Sequence, residues 1–241
     1  MNQGVVIIPT FNEKENIEAI IKAVFQLNTA FDVLVVDDNS PDGTANIVRQ
    51  LQPMYPERLH IEVRTKKAGL GTAYVHGFKW ALSRSYLFIF EMDADFSHNP
   101  NDLEKLYNAC NSETADMVIG SRYVRGVNVV NWPLSRVLLS YFASIYVKLI
   151  TGMKVHDATA GFICYKREVL ESINLNKIKF VGYAFQIEMK YRAYVKGFRV
   201  IEVPIIFTDR TKGQSKMSGG IIKEAIFGVI SLRLKKLFNR L

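Results

Sequence analysis

Two aspartates, Asp93 and Asp95, directly follow an apolar run near the middle of the chain. The run, residues 87–90, predicts a buried strand, so both carboxylates should emerge at the carboxyl edge of a sheet, where open α/β sheets bind ligands. Side chains two apart in an extended segment point the same way, so the pair can reach one hard cation, which can hold a diphosphate. An ordinary turn with two solvated aspartates is the alternative, and the motif alone favours it.

The elements that would position this pair alternate along the chain. Short apolar runs predict strands, and apolar residues repeated on one side predict helices. The expected strands are residues 5–8, 33–36, 59–64, 87–90, 116–120, 161–166 and 200–207. The expected helices are residues 13–27, 44–51, 73–82, 103–110, 132–150, 183–195 and 218–241. This alternation predicts an α/β fold with a parallel sheet and right-handed crossovers.

The composition describes a globular protein with a basic surface. The 241 residues fit one α/β domain, with or without an appendage, and 49% hydrophobic residues can form a core. Lysine and arginine number 31 against 23 acidic residues, a net charge of +8. This balance favours partners that carry phosphate, whether nucleotides, nucleic acid or anionic lipid.

The cysteines and apolar stretches bear on location. Cys110 and Cys164 lack metal-ligand spacing and lie in apolar surroundings, so we expect reduced core residues of a cytosolic protein. The N-terminal residues do not have the pattern of a signal peptide. The longest apolar stretch, residues 137–153, is interrupted by Lys148 and several serines, so we expect no spanning helix and at most peripheral contact with a membrane.

Two other nucleotide-binding folds match poorly. Residues 9–13, Pro-Thr-Phe-Asn-Glu, stand where a dinucleotide-binding dehydrogenase has its glycine-rich turn. Residues 69–72, Gly-Leu-Gly-Thr, lack the Gly-Lys-Ser/Thr ending of a Walker loop. A tight turn at the start of a helix is the better interpretation of this second segment.

Six short motifs carry a family resemblance. They are Ile-Ile-Pro-Thr-Phe-Asn-Glu (7–13), Val-Asp-Asp-Asn-Ser-Pro-Asp-Gly-Thr (36–44), Met-Asp-Ala-Asp (92–95), Gly-Ser-Arg-Tyr (120–123), Asn-Trp-Pro (131–133) and Gly-Gln-Ser-Lys (213–216). In this order they resemble family 2 glycosyltransferases of the GT-A fold, and within them the dolichol-phosphate (polyprenol-phosphate) mannosyltransferases. The resemblance spans nearly the whole chain.

The resemblance implies an architecture. We expect an α/β fold of the GT-A (Rossmann-like) type, with a mixed, mostly parallel sheet flanked by helices. The catalytic domain would cover residues 1–217 and include an interface helix region at 131–153. Residues 218–241 would form a C-terminal amphipathic helix.

The resemblance also implies a nucleotide site. Pro9, Phe11 and Glu13 fall where the family holds the base and ribose, and Val36 and Asp38 fall where it contacts the base. Phe11 replaces the usual tyrosine, which keeps an aromatic face and removes a hydroxyl.

A metal site is implied next to it. Asp93, Ala94 and Asp95 match the donor site, where two carboxylates bind magnesium or manganese that bridges the diphosphate. Ser97 stands where the best-known family members have a glutamine ligand, and water could replace that weaker ligand. His98 is better explained as a turn residue, because hard cations prefer oxygen.

The resemblance also implies cationic side chains at the donor phosphates and at the acceptor phosphate. Arg210 and Lys216 match a pair near the donor phosphates, where with Asp95 they would act in catalysis. Arg122, Arg136 and Ser140 match the grip on the acceptor phosphate. Two further acidic matches, Asp157 and Glu188, are expected in structural or acceptor-side roles.

The implied activity is the inverting transfer of mannose from GDP-mannose to a dolichyl or polyprenyl phosphate, without a nucleic-acid partner. A UDP-sugar donor of glucose or an N-acetylhexosamine is the close alternative, and a silent nucleotide-binding subunit is the distant one. A lipid-linked acceptor implies a cytoplasmic protein held peripherally on the membrane, alone or with a small anchoring partner. The candidate anchors are residues 132–150 and the terminal helix. In the terminal helix, cations lie beside an apolar stripe.

Overall fold

The structure is a computed structural model that describes residues 2–112, 114–210 and 219–238, without the side chains of Tyr183 and residues 219–225. The strands are β1 (Gly4–Thr10), β2 (Phe31–Asp37), β3 (Leu59–Val63), β4 (Phe88–Glu91), β5 (Met117–Ser121), β6 (Val129–Val130), β7 (Ile163–Lys166), β8 (Val200–Pro204) and β9 (Phe207–Thr208). The helices are α1 (Ile17–Phe25), α2 (Thr44–Leu51), α3 (Leu70–Leu82), α4 (Asp102–Asn111), α5 (Leu134–Thr151), α6 (Arg167–Ser172), α7 (Tyr183–Val195) and α8 (Gly219–Leu237).

Seven strands form one sheet in the order β3-β2-β1-β4-β7-β5-β8. All neighbouring pairs are parallel except those made by β7, which runs antiparallel to both β4 and β5. The expected mixed, mostly parallel sheet is therefore confirmed, and the purely parallel sheet that alternation alone suggested is wrong. Because β7 is reversed, it begins at the edge where β4 and β5 end, so the segment before β7 reaches that edge.

The core has two halves, one on each face of the sheet. Alternate residues of β1 point to opposite faces: Val5 and Ile7 lie in one cluster, and Val6 and Ile8 lie in the other. Helices α3, α6 and α7 cover the first face, and α1, α2 and α4 cover the second. With both faces covered, an inner strand of the sheet must be apolar throughout, as β1 is.

Several boundaries differ from expectation. Helix α1 begins at Ile17 rather than Glu13, because the Glu13 N–H donates to Thr44 Oγ1 at 3.1 Å and its carbonyl closes a turn with Asn16. The expected strand at 200–207 is split into β8 and β9, and α6 and β6 were not expected. Gly69, at φ 100°, does mark the start of a helix, as the sequence predicted.

Helices α5 and α8 lie against the rest of the fold with much apolar surface exposed. The 18 residues of α5 have a mean hydropathy of 1.3 and only 17% are buried, so by length and composition this helix could cross a membrane. The expectation that no stretch reaches that standard is corrected. In α8, Val229 and Leu232 are buried, whereas Ile226 and Phe227 are exposed. The expected C-terminal helix is thus present over residues 219–237, with apolar residues on its exposed side as well as its buried side.

Candidate active site

The loops after β1 and β2 form one rigid unit at the carboxyl edge of the sheet. The Asn12 N–H donates to Ser40 Oγ at 3.0 Å, and the Lys14 N–H donates to Asp42 Oδ2 at 3.0 Å. Asn12 and Asn39 have φ of 59° and 56°, a left-handed conformation that asparagine tolerates better than most residues. The polar motifs therefore build the shape of this edge as well as its chemistry.

Two consecutive aspartates at the end of β2 have different roles. Asp37 is fully buried and accepts hydrogen bonds from Thr10 Oγ1 and from the N–H and hydroxyl of Ser40, so it holds the loop. Asp38 forms an ion pair with Arg64 at 2.5 Å. The structure thus separates a structural aspartate from one that is available at the expected base site, and Arg64 was not predicted there.

The other residues expected around the nucleotide are only partly brought together. Pro9 and Phe11 lie half-buried near this edge, and Lys67 Nζ lies 4.5 Å from the centre of the Phe11 ring. The Glu13 carboxylate accepts a hydrogen bond from the Asn16 side chain within its own turn. Val36 has no exposed surface and packs in the core, so its side chain does not reach this edge.

The Asp-X-Asp motif lies in a turn. Strand β4 ends at Glu91, and Phe96 has φ of 60°, so the expected extended segment with parallel side chains is wrong. The Ser97 N–H donates to Asp95 Oδ1 at 3.0 Å, which closes this turn. Asp93, Asp95 and Ser97 nevertheless line the same cavity, which has a volume of about 390 Å³. Ala94 is buried behind them.

The electrostatics of this turn suit a cation. Burial and then the neighbouring Asp95 carboxylate raise the pKa of Asp93 to about 7, which shows that the site disfavours two negative charges. A divalent ion would relieve that repulsion. Among the described residues no group of three or more acidic, histidine or cysteine side chains could hold a metal. The residues present fit a hard cation that takes its remaining ligands from a diphosphate and water.

Arg210 also contacts this turn. Its Nη2 lies 2.9 Å from Asp95 Oδ2, so a guanidinium stands beside one of the two carboxylates. The short parallel sheet of β6 and β9 sets this position, because the strand residue Thr208 is followed by Asp209 and Arg210. Lys216, expected beside Arg210, lies outside the described residues.

His98 is a neutral turn residue, as expected. Its ring stacks on Phe162 with 4.8 Å between the ring centres, and Nδ1 accepts the Asp93 N–H at 3.3 Å. Burial, opposed by the charge of Asp95, lowers the pKa of His98 to about 4. The His98 nitrogen that faces Asp93 is therefore already occupied by a hydrogen bond from the main chain.

The far end of the cavity carries two arginines in different settings. Arg122 is buried and bidentate to Asp157, with Nε and Nη2 donating at 2.7 and 2.6 Å, and Nη2 also donates to Thr159 Oγ1. Burial opposes ionisation, yet the Arg122 charge and hydrogen bonds lower the pKa of Asp157. Arg136 is partly exposed and donates to Asp209 at 2.8 Å. Asp157 thus fills a structural role, and Arg136 is the more mobile cation.

Trp132 Nε1 and Ser140 Oγ, two buried polar atoms near these arginines, make no hydrogen bond of ordinary geometry among the described residues, although the Ser140 hydroxyl interacts with that of Tyr123. The Trp132 ring lies 4.1 Å from Arg136 Cζ and 5.2 Å from Arg122 Cζ. Both residues line the cavity. Donors left without acceptors beside two guanidiniums are typical of a site built for an anion. Trp132 was not among the residues predicted to bind the acceptor.

The floor of the cavity was not predicted from the sequence. Glu91 is fully buried; one carboxylate oxygen accepts the Tyr165 hydroxyl at 2.6 Å, and the other accepts the Gln186 side-chain N–H. Burial raises the pKa of Glu91 to about 7, although these two bonds favour the ionised form. Lys190 lies below and donates to the Ala160 carbonyl. The only signal in the sequence was that polar and charged residues alternate with apolar ones along α7, from Gln186 to Arg192.

The model for glycosyl transferase family 2 matches residues 5–173. The chain belongs to glycosyl transferase family 2. Sequence relatives of this family member include the polyprenol monophosphomannose synthase of Mycolicibacterium smegmatis, 48% identical over 98% of this chain and 88% of the relative. The undecaprenyl-phosphate mannosyltransferase of Micrococcus luteus is 45% identical over 92% of this chain and 90% of the relative.

Solved structures confirm the GT-A fold of this family 2 glycosyltransferase. A glucosyl-3-phosphoglycerate synthase from Mycobacterium tuberculosis, in complex with Mn²⁺, UDP and phosphoglyceric acid, has a TM-score of 0.72 at 16% identity, covering 96% of this chain and 78% of that one. The mannosyltransferase PcManGT from Pyrobaculum calidifontis, in complex with GDP-Man and Mn²⁺, has a TM-score of 0.60 at 17% identity, covering 99% and 72%.

Proposed function

We propose that this glycosyltransferase moves mannose from GDP-mannose to the phosphate of a polyprenol or dolichol at a membrane surface, with Mg²⁺ or Mn²⁺ bound. Two relatives of 48% and 45% identity carry names that specify mannose and a polyprenyl phosphate. The observation that carries the proposal is a single cavity lined both by the Asp93 and Asp95 carboxylates and by Arg122, Arg136 and Trp132, whose buried Nε1 has no partner among the described residues.

Each end of the cavity suits one substrate. Asp93 and Asp95, with Ser97, would hold the metal, which supplies charge neutralisation to the diphosphate when bound. Arg210 is close enough to move from Asp95 to the departing phosphates. Arg136, Trp132 and the Ser140 hydroxyl would bind the acceptor phosphate.

The reaction needs no general base. A phosphate monoester has its second pKa near 6, so the acceptor is largely dianionic at pH 7. One of its oxygens attacks the anomeric carbon as the bond from that carbon to the diphosphate oxygen breaks, and the electron pair leaves with GDP. Attack from the opposite side inverts the anomeric centre. The protein contributes position and positive charge at both ends.

The surface around the cavity suits a lipid-linked acceptor. Leu139, Phe142 and Tyr146 of α5 and Ile226 of α8 line its apolar side. The same two helices expose further apolar residues to the surroundings: Leu134, Leu138, Tyr141, Ile145, Leu149, Phe227, Ile230, Leu234, Leu237 and Phe238. Exposed apolar surface of this kind marks an interaction site. We place the polyprenyl chain and the membrane on this side.

The deciding experiment supplies purified protein with polyprenyl phosphate, Mn²⁺ and one labelled donor at a time. We expect lipid-extractable mannose from GDP-mannose and no comparable product from UDP-glucose or UDP-N-acetylglucosamine. If the protein preferred a UDP-sugar, the assignment of GDP-mannose as the donor would be wrong. If it bound nucleotide but transferred sugar from none of the donors, it would be a silent nucleotide-binding subunit.

The metal has its own test. Asp95→Asn keeps an oxygen for the Ser97 N–H and removes a charge, so the variant should fold normally and lose nearly all metal-dependent transfer. Mn²⁺ binding followed by electron paramagnetic resonance should weaken in parallel. Wild-type turnover with an unchanged metal requirement would remove Asp95 from the metal site.

A further inference from the structure

Gln186, in the first turn of α7, lines the cavity and carries a buried amide oxygen. The side chain is 2% exposed and lines the cavity together with Asp93 and Asp95. Its Oε1 has no hydrogen-bond partner in the part of the chain that the structure describes. Leaving a buried amide oxygen unpaired costs free energy, so such an atom points to a ligand or to ordered water.

The orientation of this amide is set by its neighbours. Gln186 Nε2 donates to the Glu91 carboxylate, whose other oxygen accepts the Tyr165 hydroxyl at 2.6 Å. The structure has the amide nitrogen toward Glu91, so the amide oxygen lies on the side away from this carboxylate. Lys190 donates to the Gln186 carbonyl at 3.3 Å and to the Ala160 carbonyl, which ties the turn of α7 to the segment before β7.

The amide lies between the end of β4, which leads to Asp93, and the segment before β7. Glu91, which accepts the hydrogen bond from Gln186, lies two residues before Asp93. On the other side, a Cβ added to Gly161 would lie 3.4 Å from Gln186 Nε2, so the backbone of 160–161 passes close by. That segment follows Thr159, which contacts Arg122 at the acceptor end. The group between a metal-held diphosphate and an acceptor phosphate is the sugar.

We propose that Gln186 Oε1 accepts a hydrogen bond from a hydroxyl group of the hexose being transferred, which makes Gln186 a determinant of donor specificity. The proposal rests on the proposed function for the location of donor and acceptor. It adds a residue that recognises the sugar rather than the nucleotide. A buried acceptor that must be paired discriminates strongly against a sugar that lacks the matching hydroxyl.

The test uses Gln186→Leu, which keeps the approximate size and removes the amide. A control is Gln52→Leu, because the half-buried Gln52 donates to the Leu59 carbonyl and does not line the cavity. Affinities for GDP and GDP-mannose are measured by calorimetry with Mn²⁺, at the same pH for every protein. Transfer rates are measured with GDP-mannose and with its 2-, 3-, 4- and 6-deoxy analogues.

We expect Gln186→Leu to lower kcat/KM for GDP-mannose by about 10- to 100-fold, with the affinity for GDP changed less than about twofold. One deoxy donor should already be poor with the wild type and should lose little more in the variant. The control should behave as wild type. Equal losses for every deoxy donor, or an equal loss of GDP affinity, would overturn the proposal.

The two proposals fail separately. If the wild type transfers a different sugar, the donor assignment falls, and the same comparison is repeated with that nucleotide and its deoxy sugars. If the wild type transfers mannose and Gln186→Leu is unchanged, only the role of Gln186 is lost. If no donor is used, the ratio of GDP-mannose to GDP affinity in the two proteins still decides whether Gln186 contacts the sugar.

Discussion

Helices α5 and α7 distribute their polar and apolar residues in opposite ways. Every residue of α7 from Ala184 to Ala193 is buried, including Glu188, Lys190 and Arg192. In α5 the buried residues are Ser144, Val147 and Thr151, while seven large apolar side chains are exposed. Helix α7 thus buries charged residues, whereas α5 exposes apolar residues.

The difference shows what each helix does. The charges of α7 are all paired: Glu188 with Arg192 at 2.7 Å, and Lys190 with carbonyls near the cavity floor. Buried charges of this kind cost free energy and hold a particular arrangement. The hydroxyls of Ser144 and Thr151 donate to main-chain carbonyls of α5 itself, those of Ser140 and Val147. Its outer side suits an apolar phase.

The largest effect should come from breaking the ion pair inside α7. Glu188→Ala leaves Arg192 buried without its partner and should lower the free energy of unfolding by about 3–5 kcal/mol. Glu18→Ala in α1 removes the same kind of Glu-to-cation pair four residues apart at the surface, with Lys22, and should leave the stability nearly unchanged. Urea denaturation measures both. Similar losses would mean that burial does not distinguish the two pairs.

The next effect concerns the inner side of α5. Arg136→Ala removes a charge-assisted contact of about 1.5–3 kcal/mol, so kcat/KM for the polyprenyl phosphate should fall roughly 10- to 150-fold. GDP affinity and thermal stability should hardly change, because Arg136 is partly exposed. Arg125→Ala, an exposed arginine, serves as the control. An equal loss of donor affinity would move Arg136 out of the acceptor site.

The buried lysine of α7 gives a pH dependence. Burial, opposed by Glu91 and Asp157, lowers the pKa of Lys190 to about 8, against 10.5 in the unfolded chain. Between these values the unfolded state binds more protons, so stability should rise with pH by roughly 2 kcal/mol from about pH 8 to 10. The comparison is with Lys190→Met, which removes this contribution. Parallel pH profiles of the two proteins would show that Lys190 titrates alike in both states.

The smallest effect concerns the outer side of α5. Replacing Leu134 and Leu149, 71% and 78% exposed, by serine should weaken binding to anionic vesicles about five- to tenfold and leave stability unchanged. The control replaces Met54 and Leu87, which are exposed elsewhere. Co-sedimentation measures the binding. If both pairs gave the same result, α5 would not be the lipid-facing helix.

Much of the fold followed from apolar runs. Strands β1 and β2 are buried on both faces, so their sequences are apolar throughout and easily recognised. The direction of β7 was not predictable, since a run of buried residues reads alike in either direction. Strands β6 and β9 are two residues each and are held by main-chain pairing, which leaves no periodic signal.

The site was predictable where a motif is local and unpredictable where partners are distant. Asp93 and Asp95 were found because they follow a strand. The pairing of Arg122 with Asp157 spans 35 residues and depends on the reversed strand β7, so no spacing rule reveals it. Arg64 and Gln186 reach the site through tertiary contacts alone.

The ion pair between Arg210 and Asp95 implies an order in which ligands arrive. A metal ion that comes alone competes with the Arg210 guanidinium for the Asp95 carboxylate, whereas a metal ion that comes with a nucleotide diphosphate also offers Arg210 new oxygens. Metal and donor should therefore strengthen each other's binding, and by thermodynamic reciprocity to the same degree. Free Mg²⁺ should then bind weakly to the ligand-free protein. Because of this ion pair, tight metal binding should require the nucleotide donor.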